Sequence, residues 1–320
     1  MLVSINDENI NEVVDSLSKL VKSIEPDRFL DPELYPPTSA SRRTVFQYFL
    51  VMVAMDHRLS RPGRPYEGYV EGKLYHGADL LYRLGAKKLK EDLDFFEPRR
   101  LATISIKDVK EWLTLHNDKA SPPDPDIRAE LLKDLGVKLL KLYDGDPILL
   151  LTESRGFLKN RGSGLIEILK VFKAYNDPVE KKAYLLAKFI ERREVMSFLD
   201  PQNKEVPVDN HLVRIALRLG LVDVDSTFLE KIAYGIEVSE DEDVLLRFAT
   251  RTAYKKLISK VGVDPFVLDD FLWNFGRKVC RRESPVCKSG EGCPLAPTCR
   301  ANSNPLYMVP EHKYLETWWY

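Results

Sequence analysis

Nine stretches of this chain repeat apolar residues at spacings of three and four, and that periodicity restricts the fold more than any other feature. They are INEVVDSLSKLVKSI, RTVFQYFLVMVAMDHRL, GADLLYRLGAKKLKEDLDFF, SIKDVKEWLTL, IRAELLKDLGVKLLKLY, GLIEILKVFKAY, VEKKAYLLAKFIER, HLVRIALRL and DEDVLLRFATRTAYKKLI. Strand-like alternation is scarce. Proline and glycine fill the gaps, as in DPELYPPTS, RPGRPYEGY, KASPPDPD and RGSG, so these stretches connect helices. The fold class expected is mainly α, without internal repeats or low-complexity tracts.

With 320 residues, 44% hydrophobic and 30% charged, the chain can bury a substantial core as one large domain or two smaller ones. Lys plus Arg (48) nearly balance Asp plus Glu (49), so net charge does not advertise a nucleic-acid partner and only local clusters could. The opening residues MLVSINDENINEVV are acidic and polar, unlike a secretory signal. The longest apolar run, FLVMVAM at 49–55, is far short of a membrane span. The expectation is a soluble cytoplasmic protein with no membrane partner.

All four cysteines, Cys280, Cys287, Cys293 and Cys299, fall within the last tenth or so of the chain, in CRRESPVCKSGEGCPLAPTC. Concentrating every thiol in one segment is how a chain builds one site. Two disulfides are disfavoured in a reducing cytoplasm. Structural zinc usually pairs its thiolates across turns of two to four residues, whereas the gaps here are six, five and five. Four thiolates on wider loops suit a [4Fe–4S] cluster, and spacing alone leaves cluster and zinc level.

A second segment, VPVDNHLVRIALRLG at 206–220, delivers a carboxylate to the start of an amphipathic helix. Asp209 stands where an N-cap belongs, Leu212, Ile215, Ala216 and Leu219 share a face, Arg214 and Arg218 share another, and Gly220 is a C′ residue. Capping alone would explain an aspartate there.

Together these two segments resemble the C-terminal half of the helix-hairpin-helix DNA glycosylases of the endonuclease III and MutY type. That superfamily has a Val-Asp-Thr-His element opening a helix with Arg in its second turn, and later Cys-x6-Cys-x2-Cys-x5-Cys. This chain has Val208-Asp209-Asn210-His211 with Arg214, and its first and last cysteine gaps match, while the middle gap is three residues longer and Asn210 replaces Thr. These departures mark a divergent branch. FQYFLVMVAMDHRLS is similar to the family's Leu-Ser-Ala-Gln helix and DNA-filling loop, which would give Asp56, His57 and Arg58 a part in probing the duplex.

The resemblance implies a two-lobed architecture: an N-terminal segment 1–43 packing with the C-terminal lobe, a helical barrel 44–205 with a degenerate hairpin, and a catalytic-helix and cluster domain 206–320. It implies excision of a damaged or mismatched base flipped out of double-stranded DNA by a monomeric enzyme. The glycosidic bond breaks through an oxocarbenium-like state that an ionised Asp209 would stabilise. Bifunctional relatives add a lysine that forms a Schiff base and gives AP-lyase activity. In the family it follows Leu-Pro-Gly-Val-Gly; here Asn176-Asp177-Pro178-Val179-Glu180-Lys181-Lys182-Ala183 corresponds, with Lys181 at the lysine position and the glycines missing. The four cysteines would hold the cluster.

Phosphate neutralisation requires local cations. Candidates are Arg155, Lys159 and Arg161 in ESRGFLKNRGSG, whose glycines could also offer backbone N–H groups, and Arg277, Lys278, Arg281, Arg282 and Lys288 around the cysteines. Tyr66, Tyr69, Tyr75 or His76 could line a base pocket, and Trp318, Trp319 and Tyr320 could stack on a base or dock the terminus. Two other classes compete: a non-catalytic Fe–S or zinc protein that binds nucleic acid, with Asp209 only a cap, and an N-glycosidase of the same fold acting on RNA or nucleosides.

Overall fold

The computed structural model describes residues 2–61, 63–115, 120–290 and 292–320. Pro62, Lys119 and Glu291, in three of the loops singled out above, lie outside the described residues. The fold is mainly helical, and among the described residues the only sheets are two antiparallel pairs of short strands. No described helix is long and apolar enough to cross a membrane. The chain forms two compact units.

The first unit joins the residues up to Asp27 with Lys204–Glu316. Strand Val3–Ile5 pairs with Val222–Val224, Val3 opposite Val224 and Ile5 opposite Val222. Helix Asp7–Lys22, capped by Asn6, then lays Ile10, Val13, Leu17 and Val21 into the core. There they meet Leu212, Ile215 and Leu219 of helix Asn210–Leu219, Leu246, Ala253 and Leu257 of Glu240–Val261, and Leu268, Leu272 and Phe275 of Pro265–Lys278. Gly220 ends helix Asn210–Leu219 at φ 77°, and a Cβ there would crowd the Asn9 amide, so the turn into the second strand excludes a side chain on both counts.

The second unit comprises Arg28–Asn203 and Thr317–Tyr320. Residues 28–43, expected with the other lobe, pack here through Phe29 on Phe189 and Tyr35 on Phe49 and Tyr82. Helix Arg42–Ala54 is its axis. Every residue from Val45 to Ala54 is buried, so this helix is apolar all round rather than amphipathic. Gln47, the exception by type, donates to the Phe96 carbonyl. Helices Ala78–Glu91, Pro125–Leu142 and Lys181–Arg192 surround it, and the pair Glu67–Val70 and Lys73–His76 forms a β-hairpin before the first of these.

The periodic stretch 164–175 is not one helix. It breaks into Leu165–Ile168 and the 3₁₀ turns Leu169–Val171 and Lys173–Tyr175, because Asp134 takes the Lys173 N–H (2.7 Å) and Phe172 turns extended with ψ 132°. The tail docks within its unit: Trp318 donates to the Lys173 carbonyl (3.0 Å) and Trp319 to Asn176 (3.3 Å).

Candidate active site and cysteine segment

In the first unit, Asp209 is the N-cap of Asn210–Leu219: its Oδ1 accepts the Leu212 N–H at 3.0 Å, and the residue is 9% exposed. The other carboxylate oxygen has no hydrogen-bond partner among the described residues. The cap therefore fixes the side chain with one oxygen and leaves the second available.

The same helix carries its polar face inward. Arg214, 1% exposed, pairs with Glu311 (2.6 Å) and donates to the Gly276 carbonyl (3.1 Å), and Glu311 also takes Arg282 (3.0 Å). His211 lies beside them, its ring 5.3 Å from Trp273, with Nε2 buried and without a hydrogen-bond partner. Burial holds His211 below its ordinary value, with Arg214 adding to it and Asp209 and Glu311 opposing. A Cβ on Gly276 would stand 2.1 Å from His211 Nε2, so that glycine makes room for the imidazole.

One turn further, Arg218 is 1% exposed and grips the cysteine segment. Its guanidinium donates to the carbonyls of Arg281 (2.8 Å), Arg282 (2.7 Å) and Val309 (2.9 Å) and lies 3.5 Å from Cys280 Sγ. Cys299 Sγ reaches the Arg218 carbonyl at 3.2 Å. The four thiols are free, half-buried and unpaired with one another. Burial pushes Cys299 up to about 11 and raises Cys293, and Cys280 adds to both. By residue type four thiols are a donor set for a thiolate-bound cluster or metal. No three His, Cys, Asp or Glu among the described residues are gathered around a single ion's position.

In the second unit, Asn176–Glu180 leads into Lys181–Arg192. Asp177 accepts the N–H groups of Val179 (3.0 Å) and Lys181 (2.8 Å), donors that a glycine hairpin would leave for a phosphate. Glu180 holds a left-handed φ of 64° and pairs with Lys159 (3.0 Å) and Lys170 (2.7 Å). Lys159 is thereby neutralised, while Arg155 and Arg161 stay exposed. The backbone donors of that glycine-rich loop are also used: Asp200 takes the N–H groups of Leu158 and Lys159, and Glu167 those of Asn160 and Gly164. Around the cysteines, Arg277, Lys278, Arg281 and Lys288 are exposed, with Arg277 lying over the Trp273 ring.

Lys181 is 8% exposed, but the next residue, Lys182, is wholly buried, and its Nζ donates to the Ala54 carbonyl at 2.6 Å. Burial pushes Lys182 well below its ordinary value, and Lys181 and Arg128 reinforce this. Sequence reasoning passed over Lys182 because its burial depends on the preceding loop, which no local pattern reports. His57 is 1% exposed rather than presented at the surface; burial and the charges of Arg128, Lys182 and Arg58 keep it neutral, and its Nε2 is unpartnered. Of the aromatic candidates, Tyr66 is buried with its hydroxyl on the Leu113 carbonyl, Tyr75 and His76 pair with Glu33 and Glu67, and Tyr69 is exposed.

Comparison with protein-family models and with curated proteins gives no match. Solved structures do match. A trapped covalent intermediate of endonuclease III with DNA is 16% identical, over 94% of this chain and 99% of that one, with a TM-score of 0.52. A non-covalent endonuclease III–DNA complex is 15% identical over 94% and 99%, TM-score 0.51, and a thermostable thymine-DNA glycosylase 12% identical over 93% and 98%, TM-score 0.50. At such identities the likeness is one of fold, and it extends over nearly the whole chain.

Proposed function

We propose that this protein is a DNA glycosylase that hydrolyses the N-glycosidic bond of a damaged or mismatched base flipped out of duplex DNA. The observation that carries the reading is Asp209, a carboxylate fixed by its own helix cap through one oxygen while the other is free. A charge held in this way stabilises the developing oxocarbenium ion without reorganising, and it orients the water that attacks C1′. The endonuclease III fold supports the substrate class, since both endonuclease III structures contain DNA.

A lyase step would need a neutral amine, and of the two adjacent lysines Lys182 is the one whose pKa burial lowers. Lys181 keeps the position that the resemblance assigns. In that step the amine attacks C1′, the base departs, and the imine formed with the opened sugar permits strand cleavage. Cys280, Cys287, Cys293 and Cys299 would hold a [4Fe–4S] cluster, with zinc as the alternative. Such a cluster would cross-link the cysteine segment. Arg218 would tie that segment to the Asp209 helix.

The test is incubation with duplexes carrying oxidised, alkylated, deaminated and mismatched bases, with borohydride added to trap an imine and iron, sulfide and zinc measured on the same preparation. Base release identifies a glycosylase; a trapped adduct lost in Lys182→Gln but kept in Lys181→Gln identifies the amine. Binding without release from any DNA, RNA or nucleoside would leave a nucleic-acid-binding protein with Asp209 as its cap.

A further inference from the structure

The loop after the buried axis helix carries two arginines, Arg61 and Arg64, beyond the Arg58 that the resemblance assigns to the duplex. Arg61 and Arg64 face each other across a tight turn: the Arg61 N–H donates to the Arg64 carbonyl (3.1 Å) and the Arg64 N–H to the Arg61 carbonyl (2.9 Å). Residues paired in this way project their side chains to one side. Arg58 precedes them with a positive φ of 38°. One carboxylate serves two of the three guanidinium groups. Asp124 pairs with Arg61 and lies 4.0 Å from Arg58, and Arg64 is exposed without a partner among the described residues. Asp124 is the N-cap residue of Pro125–Leu142, yet its side chain caps nothing and is turned to the arginines instead.

The loop is also held rigidly. The Arg128 guanidinium, with no exposed surface, donates to the carbonyls of Met55, His57 and Arg58, which brace this segment, and to that of Pro123 just before its own helix. The Arg58 N–H donates to the Tyr320 carbonyl (3.2 Å), and Ser60 Oγ accepts the Tyr66 N–H (3.1 Å). The hairpin that follows packs Val70 and Tyr75 inward and leaves the cross-strand pair Tyr69 and Leu74 outward, 59% and 41% exposed. Nearby carboxylates are spent: Glu67 on His76, Glu71 on Arg83 and Glu33 on Lys73.

We infer that Arg61, Arg64 and the hairpin Glu67–His76 form a further DNA contact beside Arg58, an arm whose Arg61 and Arg64 take phosphates of the duplex while the Tyr69–Leu74 face packs on an adjoining sugar. A braced loop with three guanidinium groups against one carboxylate is built for a polyanion, and an exposed aromatic–aliphatic pair beside it suits a deoxyribose face. The inference rests on the DNA reading above. The arm contributes affinity and register and no base chemistry.

The full chain is titrated with an undamaged duplex at several salt concentrations, as wild type, Arg61→Ala/Arg64→Ala and Arg61→Lys/Arg64→Lys. The wild type is expected to bind with a steep salt dependence. The alanine pair should flatten the slope of log K against log salt by about 2, and the lysine pair should restore it. An unchanged slope in the alanine pair, or a slope lost equally in the lysine pair, overturns the arm while leaving the glycosylase reading standing. Absence of salt-dependent DNA binding by the wild type overturns both.

Discussion

Asp209 and Lys182 show how much a residue's surroundings add to its type. Both occupy the first turn of a helix, and both are buried, yet one keeps a free carboxylate oxygen and the other is wholly enclosed against a carbonyl. Asp209 was legible in the sequence because a cap has a local signature; Lys182 was not, since Ala54, whose carbonyl accepts its hydrogen bond, lies 128 positions away. The burial of Lys182 has a pH consequence of fixed sign. Its pKa falls below the unfolded value of 10.5, so between the two values the unfolded chain holds more protons and stability rises with pH. Lys182→Met should remove that rise: urea unfolding at pH 7 and pH 10 should show the stability difference between wild type and variant shifting toward the wild type as pH increases. Equal pH dependence in the two proteins would mean that the amine is not enclosed.

At the scale of elements, helix existence was legible wherever apolar spacing persisted, as in Asp7–Lys22, Pro125–Leu142 and Glu240–Val261. It failed at 164–175, where Asp134, on another helix, captures the Lys173 N–H. The hairpin loop gives the clearest contrast with its expected role. Its glycines are absent, and Asp177 and Glu180 turn it into an internally satisfied junction, with Glu180 bridging Lys159 and Lys170. Burial raises the Glu180 pKa, but the lysine hydrogen bonds outweigh it and the net shift is downward. A carboxyl depressed on folding stabilises above its unfolded value of 4.5, and that contribution is lost as pH falls through the folded value. Glu180→Gln should therefore cost about 1–2 kcal/mol at neutral pH, since both lysines are partly exposed, and less at pH 3, where more of the carboxyl is protonated. Denaturant midpoints at the two pH values check this; a cost that persists undiminished at pH 3 would assign the role of Glu180 to packing.

For the whole molecule, the near-neutral balance of 48 basic and 49 acidic residues concealed how unevenly cations are placed. Several candidates are bound into ion pairs, Lys159 with Glu180 and Arg282 with Glu311, while Arg64, absent from the sequence-level candidates, is exposed. The division into units was legible only in outline. Phe29 and Tyr35 draw residues 28–43 into the second unit through ring contacts that no periodicity in a proline-rich stretch announces. The cysteine segment, by contrast, announced itself, because its four thiols are the only ones in the chain. The central claim is that Asp209 acts on substrate in addition to capping its helix, and Asp209→Asn separates the two roles, because asparagine caps as well as aspartate but carries no charge. Base release and thermal unfolding measured side by side on this variant test the claim most directly. The account expects stability within about 0.5 kcal/mol of wild type and base release slower by about 100-fold or more; a folded Asp209→Asn that excises at the wild-type rate would contradict it.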